Sequence, residues 1–229
     1  MSFLLETHMH TSEGSACGKI SARQQVEQYK KAGYDGIIVT DHFVTGNSAV
    51  NRDLSWEKQM QQQFAGFVNA KIAGDEIGLK VFCGIEFGYY GTEWIVIGLG
   101  SKWFSNHPEI INLDPPEFLQ LFRQEGAAVI HAHPFRQAHY ITETRLYPEL
   151  VDAIEVYNYS NMDEWNTQAI AHALSNKKPM TAGSDCHHLD KMGAGIILDE
   201  TPSTEDDLIR IIKSGKGWSL YTPYKELPI

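Results

Sequence analysis

Cysteine is scarce in this sequence, with three residues among 229. Three widely spaced thiols do not make a disulfide framework, so we expect a protein of the reducing cytoplasm. Basic side chains are also few, 19 against 29 acidic ones, which gives a formal charge of −10. That balance makes nucleic acid an unfavoured partner and disfavours binding to an anionic membrane surface.

Long apolar runs are missing as well, and none approaches the length needed to span a bilayer. The first ten residues, MSFLLETHMH, lack the basic and extended apolar segments of a signal peptide. We therefore expect a protein that does not contact the membrane. An apolar content of 42% is ordinary for a globular protein, and the length suits one domain over residues 1–229.

Short apolar runs alternate with helical patterns along most of the chain. FLLE, DGIIVTDH, LKVFCGIEFG and EWIVIGLG predict strands, and SARQQVEQYKKAG predicts a helix in which Ser21 and Gln24 have capping-box spacing. A long amphipathic stretch from about Ser55 to Glu76 predicts further helix. Such alternation favours an α/β fold with a mostly parallel sheet, either open or closed into a barrel.

Side chains that suit metal ions follow several of the predicted strands. HMH follows the first strand, TDH ends the second, Glu86 ends the third, HAHP ends a middle one and SDCH ends a late one. A barrel gathers such groups at one mouth, whereas an open sheet concentrates them near a switch point. A barrel with a metal site built from imidazole and carboxylate is therefore favoured.

Alternate side chains of an extended segment share a direction, which predicts pairs of ligands. The pairs are His8 with His10, His131 with His133, and Asp185 with His187.

The ordered motifs HMHT, TDH, GIE, HAHP and GSDCH resemble those of the PHP family, the polymerase and histidinol phosphatase domain. The resemblance runs from about Glu6 to His187 and is to a free-standing, phosphoesterase-like member. It implies a distorted TIM-like (β/α)7 barrel with two or three divalent ions, zinc, manganese or iron, at the C-terminal ends of the strands. It also implies hydrolysis of a small phosphomonoester or nucleotide through a metal-activated water.

Carried over position by position, the resemblance implies a set of metal ligands. They are His8, His10, His42, Glu86, His133, Asp185 and His187. It gives Glu6, two residues before the first ligand, a supporting role. Further candidates lie beside these positions: Asp41, Glu13, Glu93, His131 and Asn158.

Catalytic roles fall to three residues in this interpretation. Asp185 or a nearby histidine such as His187 would protonate the leaving group. Arg136, three residues after His133, would clamp a phosphate bidentately, or would be a solvated loop charge.

The sequence departs from the family pattern at two points. Ser15 and Ala16 stand where members often have an aspartate or a histidine, although Glu13 and Cys17 lie close by. Glu93 lies on a strand where many members have a histidine. A two-metal core is unaffected by these changes, and a third ion stays open.

Two other functions also stay open. One is a non-catalytic, metal-stabilised module that binds a protein partner, and the other is a metal-dependent nuclease, which the acidic composition disfavours. The sequence does not select the phosphoester, the metal or the oligomeric state.

Overall fold

The computed structural model describes residues 2–224. Within that range the strands are β1 (Phe3–Met9), β2 (Gly36–Val39), β3 (Lys80–Tyr89), β4 (Thr92–Ile97), β5 (Ala128–Ala132), β6 (Ala153–Asn158), β7 (Met180–Gly183), β8 (Gly195–Leu198) and β9 (Trp218–Tyr221). The α-helices are α1 (Ala22–Lys31), α2 (Trp56–Gln63), α3 (Ala65–Ile77), α4 (Ser101–Asn106), α5 (Pro115–Gln124), α6 (Asp163–Ser175) and α7 (Glu205–Ser214). Short 3-10 helices span Pro108–Asn112 and Pro148–Leu150.

Local sequence signals account for several helix ends. Ser21 is the N-cap of α1 and forms the predicted capping box with Gln24. The long amphipathic stretch forms two helices, α2 and α3, with a break at Phe64. Gly78 ends α3 with a φ of 72°, a conformation in which a side chain would be strained.

One sheet carries the fold, with strand order β7-β6-β5-β4-β3-β2-β1-β8-β9 in the described chain. Strands β1, β2 and β3 run parallel, as do β5, β6 and β7. Strand β4 is antiparallel to both of its neighbours, and β8 and β9 continue the sheet in antiparallel pairs. The predicted α/β class with a distorted TIM-like barrel is confirmed, and these antiparallel strands are the distortion.

Backbone contacts between β1 and the residues after β7 nearly close the sheet. The Asp185 amide donates to His8 O at 2.8 Å, and the His10 amide donates to Cys186 O at 3.0 Å. This closure places the segment after β7 directly against the end of β1. These backbone hydrogen bonds bring two of the predicted pairs together, His8 with His10 and Asp185 with His187.

The apolar core lies on both faces of the sheet. One cluster takes side chains from strands around the whole barrel, among them Leu5, Ile38, Phe82 and Ile130, and is closed by α7. Helix α7 packs at the amino end of β5, where Lys213 donates to the carbonyl of Ala127, so it covers the end away from the ligands. In residues 2–224 no helix is long and apolar enough to cross a membrane.

Candidate metal centre

Glu86, in the C-terminal half of β3, is the centre of the candidate site. Its carboxylate is fully buried and faces four imidazoles. Oε1 lies 3.1 Å from His8 Nε2 and 2.9 Å from His133 Nε2. Oε2 lies 2.7 Å from His42 Nδ1 and 3.5 Å from His10 Nε2. Each oxygen faces a different pair of rings, which suits a carboxylate shared between two ions.

Asp185, just after β7, brings a second carboxylate to the same place. Its Oδ1 lies 3.2 Å from His10 Nε2 and 3.7 Å from His8 Nε2. Glu93, on β4, adds a third, with Oε1 3.3 Å from His42 Nδ1. Glu93 therefore faces the centre from the position where the sequence departs from the family pattern.

Four groups of described residues place their ligating atoms within 4.8 Å of one another. They are His8–Glu86–His133, His8–His10–Asp185, His10–His42–His187 and His42–Glu86–Glu93. The structure thus brings together all seven side chains that the resemblance implies as ligands, together with Glu93.

Hydrogen bonds behind two rings determine which nitrogens face the centre with a lone pair. His8 Nδ1 lies 3.0 Å from Glu155 Oε1, a carboxylate that can only accept, so Nδ1 carries the proton. His10 Nδ1 lies 3.0 Å from Ser15 Oγ, whose own proton goes to Asp41 Oδ1 at 2.8 Å. Nδ1 of His10 is therefore also the donor, and Nε2 of both rings is left to bind a cation.

These atoms fit divalent ions. Within residues 2–224, the buried atoms His8 Nε2, His10 Nε2, His42 Nδ1 and Glu86 Oε2 have no hydrogen-bond partner. A lone pair that faces a carboxylate oxygen is repelled unless a cation lies between them. Two ligands of one zinc ion, each about 2.1 Å from it, are about 3.4 Å apart, and the nitrogen–oxygen distances here run from 2.7 to 3.7 Å.

The electrostatics of the cluster favour positive charge at its centre. Burial opposes a charge on His8, but Glu155 and Glu86 outweigh it and raise the pKa of His8 well above its usual value. Burial likewise opposes ionisation of Glu86, yet His8 holds the pKa of that carboxyl well below its usual range. Arg136 and His8 do the same for the pKa of Asp185. The carboxylates of Glu86 and Asp185 therefore stay ionised, and their negative charge must be balanced by protons on the imidazoles or by metal ions. Because Asp185 stays ionised, it is better suited to bind a metal ion than to donate a proton.

A β-bulge in β1 turns the first ligand pair inward. The register of β1 against β2 shifts between Glu6 and Met9. Leu5 faces the barrel interior, whereas Met9 packs outward against α1. The extra residue therefore leaves His8 and His10 pointing into the barrel mouth, a common use of bulges beside functional sites.

Two ligand candidates have left-handed backbone. The φ of His133 is 26° and that of Asp185 is 52°. Such conformations cost about 1–3 kcal/mol each for residues other than glycine and cluster at functional sites. At both positions the unusual φ ends the alternation of the preceding strand; the His133 side chain then faces Glu86, and that of Asp185 faces His8 and His10.

Glu6 supports the centre from behind β1, as the resemblance implies. Its carboxylate accepts from the amides of His8 at 2.9 Å and Ser184 at 2.8 Å, and from Tyr29 Oη at 2.8 Å. Burial outweighs these hydrogen bonds and raises the pKa of Glu6 to about 7. Glu6 thereby ties the backbone that carries His8 to the backbone that carries Asp185.

Arg136 is anchored beside Asp185. Its Nη2 donates to Asp185 Oδ2 and to Asn158 Oδ1, and its Nε donates to Asn161 Oδ1 at 3.0 Å. Burial opposes the charge on Arg136, but Asp185 outweighs it and raises its pKa. Asn158 in turn donates to Glu155 at 3.0 Å and to Asp185 at 3.3 Å. Both residues orient the carboxylates, so Arg136 has only part of its guanidinium free for a ligand.

Two further candidate carboxylates point elsewhere. Asp41 accepts from the amide and hydroxyl of Thr11 at 2.7 and 2.6 Å as well as from Ser15, and burial raises its pKa to about 6. Glu13 accepts from the amide of Ala22 at 3.0 Å and so caps the start of α1. Asp41 supports the predicted ligand His10 through Ser15, and Glu13 contacts the start of α1 instead of the centre.

His131 does not point with His133, which corrects the expectation from strand alternation. The left-handed φ of His133 breaks the alternation, and His131 is buried against Trp94, with ring centroids 5.4 Å apart. Neither ring nitrogen of His131 has a hydrogen-bond partner within the described chain. Burial, followed by the effects of His133 and His172, lowers its pKa to about 3. His131 therefore packs in the core, outside the four groups of ligating atoms found among the described residues.

Glu155, on β6, is the residue that sequence reasoning missed. Besides holding His8, it accepts from the His133 amide at 2.9 Å and from Asn158 Nδ2 at 3.0 Å. A lone carboxylate inside the apolar strand AIEVYN was the available signal.

A cavity of about 960 Å³ opens beside the centre. Its walls include Cys17, His42, Glu93, Arg136 and His187 on the side of the centre. The opposite wall carries Tyr89, Tyr90, Asp114 and Tyr140. A volume of this order holds a small organic molecule.

Comparisons with known proteins show a partial family match and a shared fold. A family model described as PHP-associated matches residues 163–216, and no curated protein matches the sequence significantly. Among solved structures, a two-domain protein from Bacteroides vulgatus that contains a predicted PHP-like metal-dependent phosphoesterase superposes with a TM-score of 0.70 at 18% identity. That match covers 97% of this chain and 65% of the other, so this chain spans less than two thirds of that protein.

Two other solved structures share the fold at lower scores. A proposed metal-dependent phosphoesterase from Bifidobacterium adolescentis gives a TM-score of 0.56 at 18% identity over 80% of this chain and 87% of that one. An amidohydrolase from Chromobacterium violaceum, solved with sulfate and without metal, gives 0.53 at 13% identity over 96% and 98%.

The fold and the site define a barrel protein with a carboxylate-centred cluster of histidines at its mouth. The resemblance to the PHP family that the ordered motifs indicate is confirmed by the PHP-associated match and by the shared fold.

Proposed function

We propose that this chain is a metal-dependent hydrolase that cleaves a small phosphoric monoester or a nucleotide. The observation that carries the proposal is the Glu86 carboxylate, which faces four imidazoles beside an open cavity of about 960 Å³. The PHP-like fold adds support, because two of its structural neighbours are described as metal-dependent phosphoesterases.

The residues present define how the ions would be held and what they would do. Glu86 would join two positions, one shared with His8 and His133 and the other with His42 and Glu93. Divalent ions bound there would supply Lewis acidity to a phosphoryl group and to the attacking water. Zinc, manganese and iron all accept such imidazole and carboxylate ligands.

The chain's own side chains then bind and orient the substrate. Arg136 lies in the cavity wall and stays charged, so it attracts the phosphoryl oxygens while Asp185 fixes its position. Tyr89, Tyr90 and Tyr140 offer apolar faces and hydroxyl groups to the alcohol portion of the ester. Helix α7 and the apolar core cover the far end of the barrel, so products leave by the mouth through which the substrate enters.

Phosphate release from a panel of monoesters, measured with added zinc, manganese or iron, tests the proposal. The panel includes an aryl phosphate, amino-alcohol phosphates and nucleoside monophosphates. A chelator is expected to abolish release and the metal to restore it. Glu86→Gln keeps the shape of the side chain but removes its charge, and we expect a loss beyond the roughly 10–100-fold that a supporting residue costs.

Glu57→Gln, an exposed carboxylate on α2, is the matched control and is expected to retain wild-type rates. Hydrolysis that survives exhaustive chelation would contradict the proposal. Cleavage of single-stranded DNA or of an N-acyl amide, with every monoester left intact, would replace it with a nuclease or an amidohydrolase.

A further inference from the structure

A second cavity, of about 640 Å³, adjoins the metal centre at the barrel mouth. Cys17 and His187 line both this cavity and the first one, and Asp185 forms part of the wall of the second. Because the two cavities share these side chains, one molecule bound at the centre can reach into both.

Basic side chains converge on the second cavity. Lys19 comes from the loop between β1 and α1, and His188 and Lys191 come from the loop between β7 and β8. The first cavity, by contrast, has acidic side chains in its wall, among them Glu93 and Asp114. Two lysines in one cavity are a local excess of positive charge in a chain whose formal charge is −10.

Backbone contacts hold the walls of the second cavity in place. The Lys19 amide donates to His187 O at 2.9 Å, and the Tyr159 amide donates to Gly183 O at 3.0 Å. The Tyr159 ring lies against Gly193, where an added Cβ atom would come within 2.7 Å of it. Lys19 is thereby fixed beside the segment after β7, and the β7–β8 loop packs on Tyr159.

The two ammonium groups are available for an anion. Neither Lys19 nor Lys191 is among the lysines and arginines that form ion pairs within residues 2–224, which are Arg23, Lys71, Arg123, Arg136, Arg145 and Arg210. The carboxylate in the cavity wall, Asp185, is paired with Arg136 through Oδ2 and faces His8 and His10 through Oδ1. Asp185 therefore leaves the charge of both lysines uncompensated.

We propose that the second cavity binds a second anionic group, a carboxylate or a phosphate, carried by the alcohol portion of the ester. Lys19 and Lys191 neutralise this group while the phosphoryl group to be cleaved lies at the centre. An acidic protein repels anions over most of its surface, so local cations are needed to hold a second one. The proposal rests on the proposed function and narrows its substrates to esters with two anionic groups.

Pairs of substrates that differ in the second anion test the proposal. 3-Phosphoglycerate is compared with glycerol 3-phosphate, and fructose 1,6-bisphosphate with fructose 1-phosphate. The wild-type protein is expected to have the lower KM for the doubly anionic member of at least one pair. In Lys19→Met/Lys191→Met we expect this preference to fall by about 5–30-fold, the combined effect of two exposed ion pairs. The loss should appear in KM rather than kcat, because the lysines bind a group that does not react.

Lys58→Met/Lys102→Met is the matched control, because it removes two exposed lysines from α2 and α4. We expect it to keep the wild-type preference. The preference of the wild-type protein should also weaken as salt is added, since exposed charges are screened.

Lysine acetylation of the metal-loaded wild-type protein, followed by mass spectrometry, tests binding without any variant. An excess of the preferred doubly anionic ester is expected to slow acetylation of Lys19 and Lys191 but not of Lys58. The singly anionic member of the same pair is expected to slow none of the three.

The two proposals fail separately. Phosphoester hydrolysis with the same KM preference in Lys19→Met/Lys191→Met as in wild type would overturn the anion site and keep the proposed function. Protection of Lys19 and Lys191 in a chain that hydrolyses no phosphoester would keep the anion site and remove the proposed function. Neither hydrolysis nor protection would overturn both. An effect confined to the 3-phosphoglycerate pair identifies the second anion as a carboxylate, and one confined to the fructose pair identifies it as a phosphate.

Discussion

Replacing Glu155 with glutamine changes the proton on His8 without removing a side chain. Glu155 accepts three hydrogen bonds: Oε1 from His8 Nδ1, and Oε2 from the His133 amide and Asn158 Nδ2. A glutamine can keep the latter two only if its oxygen takes the Oε2 place. Its amide nitrogen then faces His8 Nδ1, which must become an acceptor, so the imidazole proton moves to Nε2.

That proton would point at Glu86, where a metal ion is expected to bind. The opposite orientation of the glutamine is worse, because its amide would face two donors at once. Loss of such a supporting carboxylate costs about 10–100-fold in metal affinity, or about 1.4–2.7 kcal/mol. A hydrogen bond to a charged group is worth about 1.5–3 kcal/mol, which agrees with this range. The metal-free protein should also lose stability, because Glu155 is the main cause of the raised pKa of His8 and a neutral glutamine no longer pairs with that imidazolium.

Competition with a chromophoric chelator measures the affinity, and urea unfolding of the metal-free proteins measures the stability. Asp152→Asn is the matched control: Asp152 lies just before the same strand and accepts from the Val129 amide at 2.9 Å, at the end of β6 away from the ligands. We expect the control to keep wild-type affinity. An affinity of Glu155→Gln within about threefold of wild type, with the fold intact, would refute the assignment of Glu155 as the residue that sets the His8 proton.

Two further predictions concern the metal ions and His131. Removing the metal ions is expected to lower Tm by about 5–10 °C. A ligand at 100 times its Kd stabilises the folded protein by about 2.7 kcal/mol, and each kcal/mol changes Tm by about 2–4 °C in a domain of this size. A Tm that a chelator leaves unchanged in scanning calorimetry would count against the site. His131→Leu is expected to keep the wild-type metal content and not to lower the free energy of unfolding, because it removes two buried ring nitrogens without partners in residues 2–224. If elemental analysis shows that His131→Leu has lost an ion, His131 must be a metal ligand.

The sequence predicts the fold through signals that are local and strong. The capping box at Ser21, the β-branched run of β2 and the strand–helix alternation each have a direct physical cause, and all lead to the barrel. The motifs at the strand ends also lead to residues that the structure brings together around Glu86. Parallel strands of a barrel leave their carboxyl ends at one mouth, which is why position along the chain was informative.

Other features depend on geometry that no short pattern reports. The bulge in β1 and the left-handed φ of His133 change which side chains face inward, so simple alternation placed His131 wrongly. Glu155 is adjacent to His8 only because side chains of β6 and β1 meet inside the barrel, although the two residues are 147 positions apart in sequence. The partners of Asp41 and Arg136 likewise come from distant segments, and their roles follow from those contacts.

The central claim is that this chain holds transition-metal ions around Glu86. Elemental analysis of the protein, purified without chelator or affinity metal, tests it most directly when the content is expressed per chain. The account predicts at least two ions in the wild-type protein and a loss in Glu86→Gln. A folded wild-type protein that contains none, and that takes up none when zinc, manganese or iron is added, would contradict it.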